Sequence, residues 1–550
     1  MRRFGADMSR FDFYDREDRP WPNARLTNAA IVGHTTTDST RLWVRVYEPG
    51  TYSLIVSDNR IDTLGQPRIS RNAAKLVPES GKPIPLPGRV QSRDIDFSTD
   101  LTTVFDVTGL EAGKTYHYAV FARPSKSSQR NELWEIGRDE PHTFTTQSAA
   151  AANVTFGLFS CHMPYPDDRG IKNMEMWLRF RHELEDGGAH FIIGAGDQVY
   201  TDGTSYLSIW RWLKKIKNDL AKINRAERVD IMKSWFRDIY RGYWGDLELR
   251  RVFRNFPTYT MWDDHEIMDG WGSYTKKELS ELLDTIWEFE DTGKNLQLAD
   301  DMRTAAGSVY EEYQHCRNPP TVKGAYDYAF SWGFAALYVL DMRGQRDYER
   351  KSDDRILGAA QFQRLESWLA GLDPAATRAV FIVSPVPVVH TSSFIVNYLD
   401  LSLLGLNDDL RDSWEHASNW KERDKLLDLV FSFSQQSKLP IAFLSGDVHI
   451  GAAFRLSRNA LPDARVYQLT SSAITYAKAP GGLLKLAVRE NGTLESATRT
   501  TFHCLHAFSR NNFGIVRLDA TKDPARISWD LYGSSSEPGE IVKLKRVELG

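Results

Sequence analysis

The chain has 550 residues, 41% of them hydrophobic and 26% charged, and a formal net charge of −4. That length exceeds what one hydrophobic core fills, so at least two domains are expected. The balanced charge excludes a global basic field for nucleic acid, and no apolar run reaches the length of a membrane span. The cysteines Cys161, Cys316 and Cys504 are an odd, sparse set that argues against a disulfide framework and fits a reducing compartment. Arg2-Arg3 resembles the start of a twin-arginine signal, but Phe11 to Pro20 is charged and polar. A cytoplasmic protein is therefore expected, although a mature exported form would read much the same.

Residues 1–23 lack periodicity and read as an arm. Residues 24–147 read as all-β. Arg41 to Tyr47, Tyr52 to Val56 and Thr115 to Val120 alternate with period two, and turn residues separate them. The phrase from Val107 to Tyr116 resembles the E–F corner of a fibronectin III or immunoglobulin-like sandwich. Pro78 to Gly88 reads as a surface loop, and Gln147 to Ala152 as a linker. No paired acids occur in this β region, so its expected role is structural.

From residue 153 onward the pattern becomes strand, helix, strand, the mark of an α/β unit. Strands are expected at Val154 to Phe159 and His190 to Ala195, with a helix at Met174 to Leu184 between them. Residues near 204–256 are helical, charged and rich in aromatics such as Trp212, Trp235 and Trp244. They read as an insertion, either a lid or a plain helical layer. The short strand Thr258 to Met261 follows, then a second helical insertion near 276–313. The α/β alternation resumes with a hairpin (Tyr326 to Phe330, Ala335 to Leu340), a helix (Ala359 to Leu369) and a strand (Ala379 to Val383). A helix from Lys421 to Phe433 leads to the strand Ile441 to Leu444, and Val466 to Thr470, Gly514 to Asp519 and Arg526 to Leu531 close the sheets.

Polar donors follow four of these strands. They are Ser160-Cys161, Gly196-Asp197-Gln198-Val199-Tyr200, Trp262-Asp263-Asp264-His265-Glu266 and Ser445-Gly446-Asp447-Val448-His449. Open α/β sheets bind ligands beyond the carboxyl ends of their strands. Cys161, Asp197, Asp263, Asp264 and Asp447 gathered there would repel one another strongly. Two multivalent cations would remove that repulsion.

The order of these motifs, with Leu340 to Arg346 and the stretch from Asp412-Ser413-Trp414, resembles the alkaline phosphatase D (PhoD-like) family of the calcineurin-like metallophosphoesterases. The resemblance runs from about Thr27 to the end of the chain. It implies a four-layer αββα metallophosphatase sandwich behind a small all-β domain, hydrolysing phosphate mono- or diesters. It also implies an iron and calcium site. The wider group carries Asp-x-His, Gly-Asn-His-Glu and Gly-His-x-His where this chain has Ser160-Cys161, Asp263 to Glu266 and Gly446 to His449. Thiolate and carboxylate have thus replaced imidazole. A thiolate with the Tyr200 phenolate suits Fe3+, and carboxylates suit Ca2+, with Mn2+, Mg2+ and Zn2+ as alternatives.

On this reading Asp197 bridges the metals, and Cys161, Tyr200 and His449 complete the iron side. Asp264, Asp269 and Asp447 hold the second metal, Asp269 standing where the family often has Asn. Asp263 is either a ligand or a support for one. His265 is expected near the leaving group and Arg343 as a clamp on the phosphate oxygens. His390 reads as a loop histidine, and His416 as one touching either substrate or only solvent. The expected partner is a small phosphate ester, not nucleic acid. The alternatives are a phosphotriester or phosphonate hydrolase on the same site, or a metal-dependent binding protein without turnover. His265 argues against the last.

Overall fold

The computed structural model describes residues 28–549 except 59–67, 70–74, 78–83, 86–89, 123–132, 138–139, 149–150, 166–173, 203–207, 288–291, 348, 350, 352, 354, 390–412, 477–490, 496–499 and 536–538. The expected arm, His390, Asp412 and the first residues of the helical insertion lie outside the described residues.

Two large sheets position everything else. The first runs Thr258–Met261, Phe191–Ala195, Asn153–Phe159, Asn512–Asp519, Arg526–Ser534, Ile541–Leu549. Its first three strands are parallel, so Met261, Ala195 and Phe159 finish along one edge. The second runs Tyr328–Trp332, Ala335–Val339, Ala379–Val383, Ile441–Ser445, Val466–Ser471, Gly451–Ser457, Thr501–Phe508, Asn491–Thr493. Its middle strands are also parallel.

The strands sort their side chains with period two. Phe156, Leu158, Ile193, Leu337, Val339 and Phe381 meet between the sheets in one dry core, with Phe156 edge-on to Phe381 at 5.2 Å. Ile192, Ile515 and Phe513 face the other way, against the helices Glu175–Asp186, Ile209–Leu220, Arg225–Tyr243, Leu247–Phe253 and Thr292–Tyr313. Tyr338, Val380, Ile382 and Phe443 pack on Gly358–Ala370 and Trp420–Ser437. The layers therefore run helix, sheet, sheet, helix. Each fully buried Phe or Leu contributes about 1.5–3 kcal/mol of transfer free energy.

The helices near 204–256 spend their aromatics on this packing. Trp212 stacks on Trp235 at 5.8 Å, and Trp244 meets Tyr240 and Phe253 edge-on. Arg225–Tyr243 starts at a reciprocal capping box between Asn224 and Glu227. Among the described residues no helix is long and apolar enough to cross a membrane.

The amino-terminal β segment forms a sheet of Ala29–Thr35, Ser39–Arg45 and Thr102–Thr108, and a second built on Gly50–Ser57 and Thr115–Ala122. They share an apolar core of residues such as Val32, Leu42, Leu54, Phe105 and Tyr118. The Tyr116 hydroxyl accepts the Glu111 N–H at 2.9 Å, which closes the turn between them. Ile84–Pro85 pairs in a short sheet with Lys75–Val77, where only loop is expected from the Pro/Gly content. Strands that the sequence pattern does not reveal include Gly451–Ser457, Thr501–Phe508 and Ile541–Leu549.

Candidate metal centre

Four parallel strands deliver the donors. Asn153–Phe159, Phe191–Ala195 and Thr258–Met261 in the first sheet lead to Cys161, Asp197 and Asp263-Asp264. Ile441–Ser445 in the second leads to Asp447. The chain must turn sharply at each end, and the backbone records it. Cys161 (φ 54°), Asp197 (φ 54°), Asp447 (φ 62°) and His449 (φ 54°) all occupy the left-handed region. Among the described residues only Asp100, Leu101 and Lys438 join them as non-glycines there. Left-handed residues with side chains cost free energy and collect where surrounding structure holds a functional geometry.

The turns also pack tightly on one another. A Cβ at Gly196 would lie 2.8 Å from the Asp263 Cβ, and one at Gly446 would lie 2.4 Å from both the Ala195 oxygen and the Ser160 Cβ. These glycines let the strand ends close up. Glu266 ties the loops together. Its carboxylate accepts the N–H groups of Asp197 (3.2 Å), Gln198 (2.8 Å) and Asp263 (2.8 Å), and the Gln314 amide (3.0 Å). Burial pushes its carboxyl up to about 8.

Carboxylate oxygens of Asp197, Asp263, Asp264 and Asp447 fall within 4.8 Å of one another, and so do ligand atoms of Asp197, Asp264 and His265. The Cys161 thiol reaches Asp197 Oδ2 at 3.4 Å. The Tyr200 hydroxyl donates to the same oxygen at 3.2 Å and stands 3.2 Å from His449 Nε2. Cys161, Asp197, Tyr200, Asp264, Asp447 and His449 are thus brought together. Asp269 is not in this group; its side chain is 47% exposed, with Oδ1 3.8 Å from His265 Nε2.

Arg343 is also placed differently from a substrate-facing clamp. Its side chain is fully buried. Nε donates to Asp263 Oδ1 at 2.5 Å, Nη1 to the Trp271 carbonyl at 2.7 Å, and Nη2 to Asp264 Oδ1 at 3.4 Å. The guanidinium stands behind the carboxylates and holds them. His265 donates from Nδ1 to Asp202 Oδ1 at 2.8 Å, and Asp202 Oδ2 accepts the Asp269 N–H. The sequence reading omits Asp202. The available signal was its place in the turn just after Tyr200.

Electrostatically the centre is short of positive charge. Burial, then Asp264 and Asp263, push the Asp197 carboxyl well above the usual range, although His265 opposes them. Burial and the neighbouring Asp197 do the same to the Cys161 thiol and the Tyr200 phenol. The Asp264 carboxyl is lowered: burial opposes ionisation, but Arg343 and His265 outweigh it. Burial likewise opposes the charged form of His265, yet Asp264, Asp202 and Asp197 lift it well above an ordinary histidine. Burial, with His265 beside it, holds His449 down to about 3, so it is a neutral imidazole. Asp197 Oδ1 is buried and meets no hydrogen-bond donor among the described residues. Such an orphaned oxygen is costly unless something positive completes it. The residues present therefore fit a bound cation.

The comparisons agree with this geometry. The family described as PhoD-like phosphatase matches residues 156–529. An uncharacterized protein of Saccharomyces cerevisiae is 24% identical over 399 residues, which is 62% of this chain and 56% of its own length. This chain thus spans little more than half of that relative. Alkaline phosphatase D of Bacillus subtilis is 21% identical over 464 residues, 80% of this chain and 68% of its own. Among solved structures, that of PhoD superposes with a TM-score of 0.60 at 16% identity, covering 94% of this chain and 88% of its own. A purple acid phosphatase from yellow lupin seeds superposes with a TM-score of 0.51 at 11% identity, covering 95% and 74%. These two show a shared mixed α/β fold. With the family match extending over most of its length, the chain belongs to the PhoD-like phosphatase family.

Proposed function

We propose that the protein is a metal-dependent hydrolase of phosphate monoesters, diesters or both, working at the edge where the four strands end. The observation that carries this reading is the buried, partnerless Asp197 Oδ1 among carboxylates, thiol, phenol and neutral imidazole. Asp197 would bridge two cations, Cys161, Tyr200 and His449 would hold an iron, and Asp264 and Asp447 would hold a hard cation such as calcium. Asp269 would join the second cation only after its side chain turned inward. Such cations, when bound, polarise phosphoryl oxygens and lower the pKa of a bound water.

The protein's own groups supply the rest. Asp202 fixes the ring of His265 through Nδ1, which leaves Nε2 to hold a proton for the leaving oxygen. Arg343 positions Asp263 and Asp264. Tyr200 packs its ring on His265 at 4.1 Å between centroids and keeps that imidazole from turning away. We assign residues 24–147 to a fibronectin III or immunoglobulin-like β-sandwich domain and 153–550 to a four-layer αββα catalytic domain with helical insertions near 204–256 and 276–313.

Elemental analysis with an ester panel tests the proposal. The protein is expected to carry iron and a second cation, and to hydrolyse p-nitrophenyl phosphate or bis-p-nitrophenyl phosphate until chelated. Turnover that persists after complete metal removal would overturn it. So would inertness towards mono-, di- and triesters with every metal, which would leave a binding protein. Preference for a triester would select the phosphotriesterase alternative.

A further inference from the structure

Beside Trp262 and Gly344 lies a concavity of about 520 Å3, open to solvent, within the roughly 300–1,000 Å3 typical of small-molecule pockets. None of its lining residues belongs to the acidic cluster. It is bounded by Trp262, Arg303, Ser308, Glu311, Tyr326 and Gly344. Trp262 and Gly344 are the chain neighbours of Asp263 and Arg343, so the cavity backs directly onto the residues that hold the centre.

The aromatic wall is rigid. The Trp262 indole stacks on Tyr310 at 4.7 Å, meets Tyr326 edge-on at 4.9 Å, and donates to Asp341 Oδ1 at 2.8 Å. The cationic group on the same wall is not similarly satisfied. Arg303 donates from Nη2 to the Gly344 carbonyl at 3.0 Å, but its Nε is buried without a hydrogen-bond partner. It forms no ion pair among the described residues. Glu311 is exposed at the rim of the same cavity, and its side chain makes no hydrogen bond or ion pair among the described residues. Both residues lie on the helix Thr292–Tyr313 and face one cavity, yet they do not pair with each other. At about 1.5 Å of rise per residue their Cα atoms stand about 12 Å apart along the axis.

We propose that this cavity binds a small zwitterion, with an oxyanion for Arg303 and an ammonium for Glu311 at opposite ends of a short chain. Because the two side chains do not ion-pair across this spacing, a ligand touching both calls for several bonds between its charges, more than an α-amino acid has. The proposal stands apart from the hydrolase reading, since no metal ligand takes part.

The test is calorimetric titration of the purified full chain with ω-aminoalkylphosphonates of increasing length, which carry no ester to cleave. Alkylphosphonates and alkylammonium ions of matched length serve as half-ligands. One member of the zwitterion series is expected to bind one to one. Arg303→Gln and Glu311→Gln should each weaken it about tenfold or more. The alkylphosphonate should be weakened only by Arg303→Gln. The metal centre is common to all three proteins, so ester hydrolysis and the thermal midpoint should stay unchanged. No binding by any member would overturn the proposal, as would binding that survives both substitutions. Equal binding of alkylphosphonate and zwitterion, with Glu311→Gln silent, would overturn it in favour of a plain anion site.

Discussion

Two buried clusters of charge in this protein are built from the same kinds of group and end in opposite states. At the junction between the β segment and the helices, the Asp100 carboxylate accepts Arg241 Nη1 at 2.5 Å, Arg45 Nε and Nη2 at 3.4 Å, and the Tyr313 hydroxyl. Burial opposes its ionisation, but Arg241 and Arg45 outweigh that and hold the carboxyl below its usual value. At the candidate metal centre Asp197, Asp263, Asp264, Asp447 and Glu266 gather around Arg343 and His265, and the Asp197 carboxyl is driven up. One cluster closes on itself; the other is short of positive charge. A balanced cluster joins two parts of a fold, and an unbalanced one leaves room for a cation.

The sharpest way to break the comparison is to remove the Asp197 carboxylate. Asp197→Ala should lose bound metal by elemental analysis and several kcal/mol of transition-state stabilisation, roughly a thousandfold or more in kcat. Retained metal and retained rate would mean the imbalance is not a binding site. His265→Ala should lower kcat by roughly 10²–10⁴-fold with metal content unchanged, because its contribution is proton transfer. Metal loss in that variant would move His265 among the ligands. Asp100→Ala should do the converse, costing about 3–5 kcal/mol in chemical denaturation by stranding buried arginines. Its kcat per folded molecule should hold. Asp202→Asn is the mildest of these at the centre, expected to reduce kcat by about ten- to a hundredfold because it misorients rather than removes the imidazole.

The contrast also explains what the sequence could and could not disclose. Cys161, Asp197, Asp264, Asp447 and His449 were legible because each follows an apolar strand, and parallel strands bring their ends to one edge. Asp202 was not, since its role exists only once the 264–266 turn folds back to place His265 Nδ1 2.8 Å away. Arg343 was seen as a residue type, but sequence carries no direction, and the side chain lies behind the carboxylates rather than before a substrate. Asp269 was placed by its position in a motif, which says nothing about which way its carboxylate turns. The missed strand Ile541–Leu549 alternates charged and apolar residues at a sheet edge, where lysines and arginines hide the strand pattern.

The smallest effect concerns acid. Because the folded Asp100 carboxyl lies below its ordinary value of 3.8, its contribution is fully present above that value. It is lost only as pH falls through the lower folded value, where the native carboxylate finally takes up a proton. Metal release in acid would obscure this in the wild type alone, since protons compete with cations for the strand-end ligands. The difference between wild type and Asp100→Ala cancels that part, because both proteins share the same centre. Urea unfolding at a series of pH values should therefore give a difference that is flat from about pH 8 to about pH 5 and shrinks below about pH 4. A difference that begins to shrink near neutrality would mean that Asp100 titrates high, as Asp197 does, and the two clusters would then be of one kind.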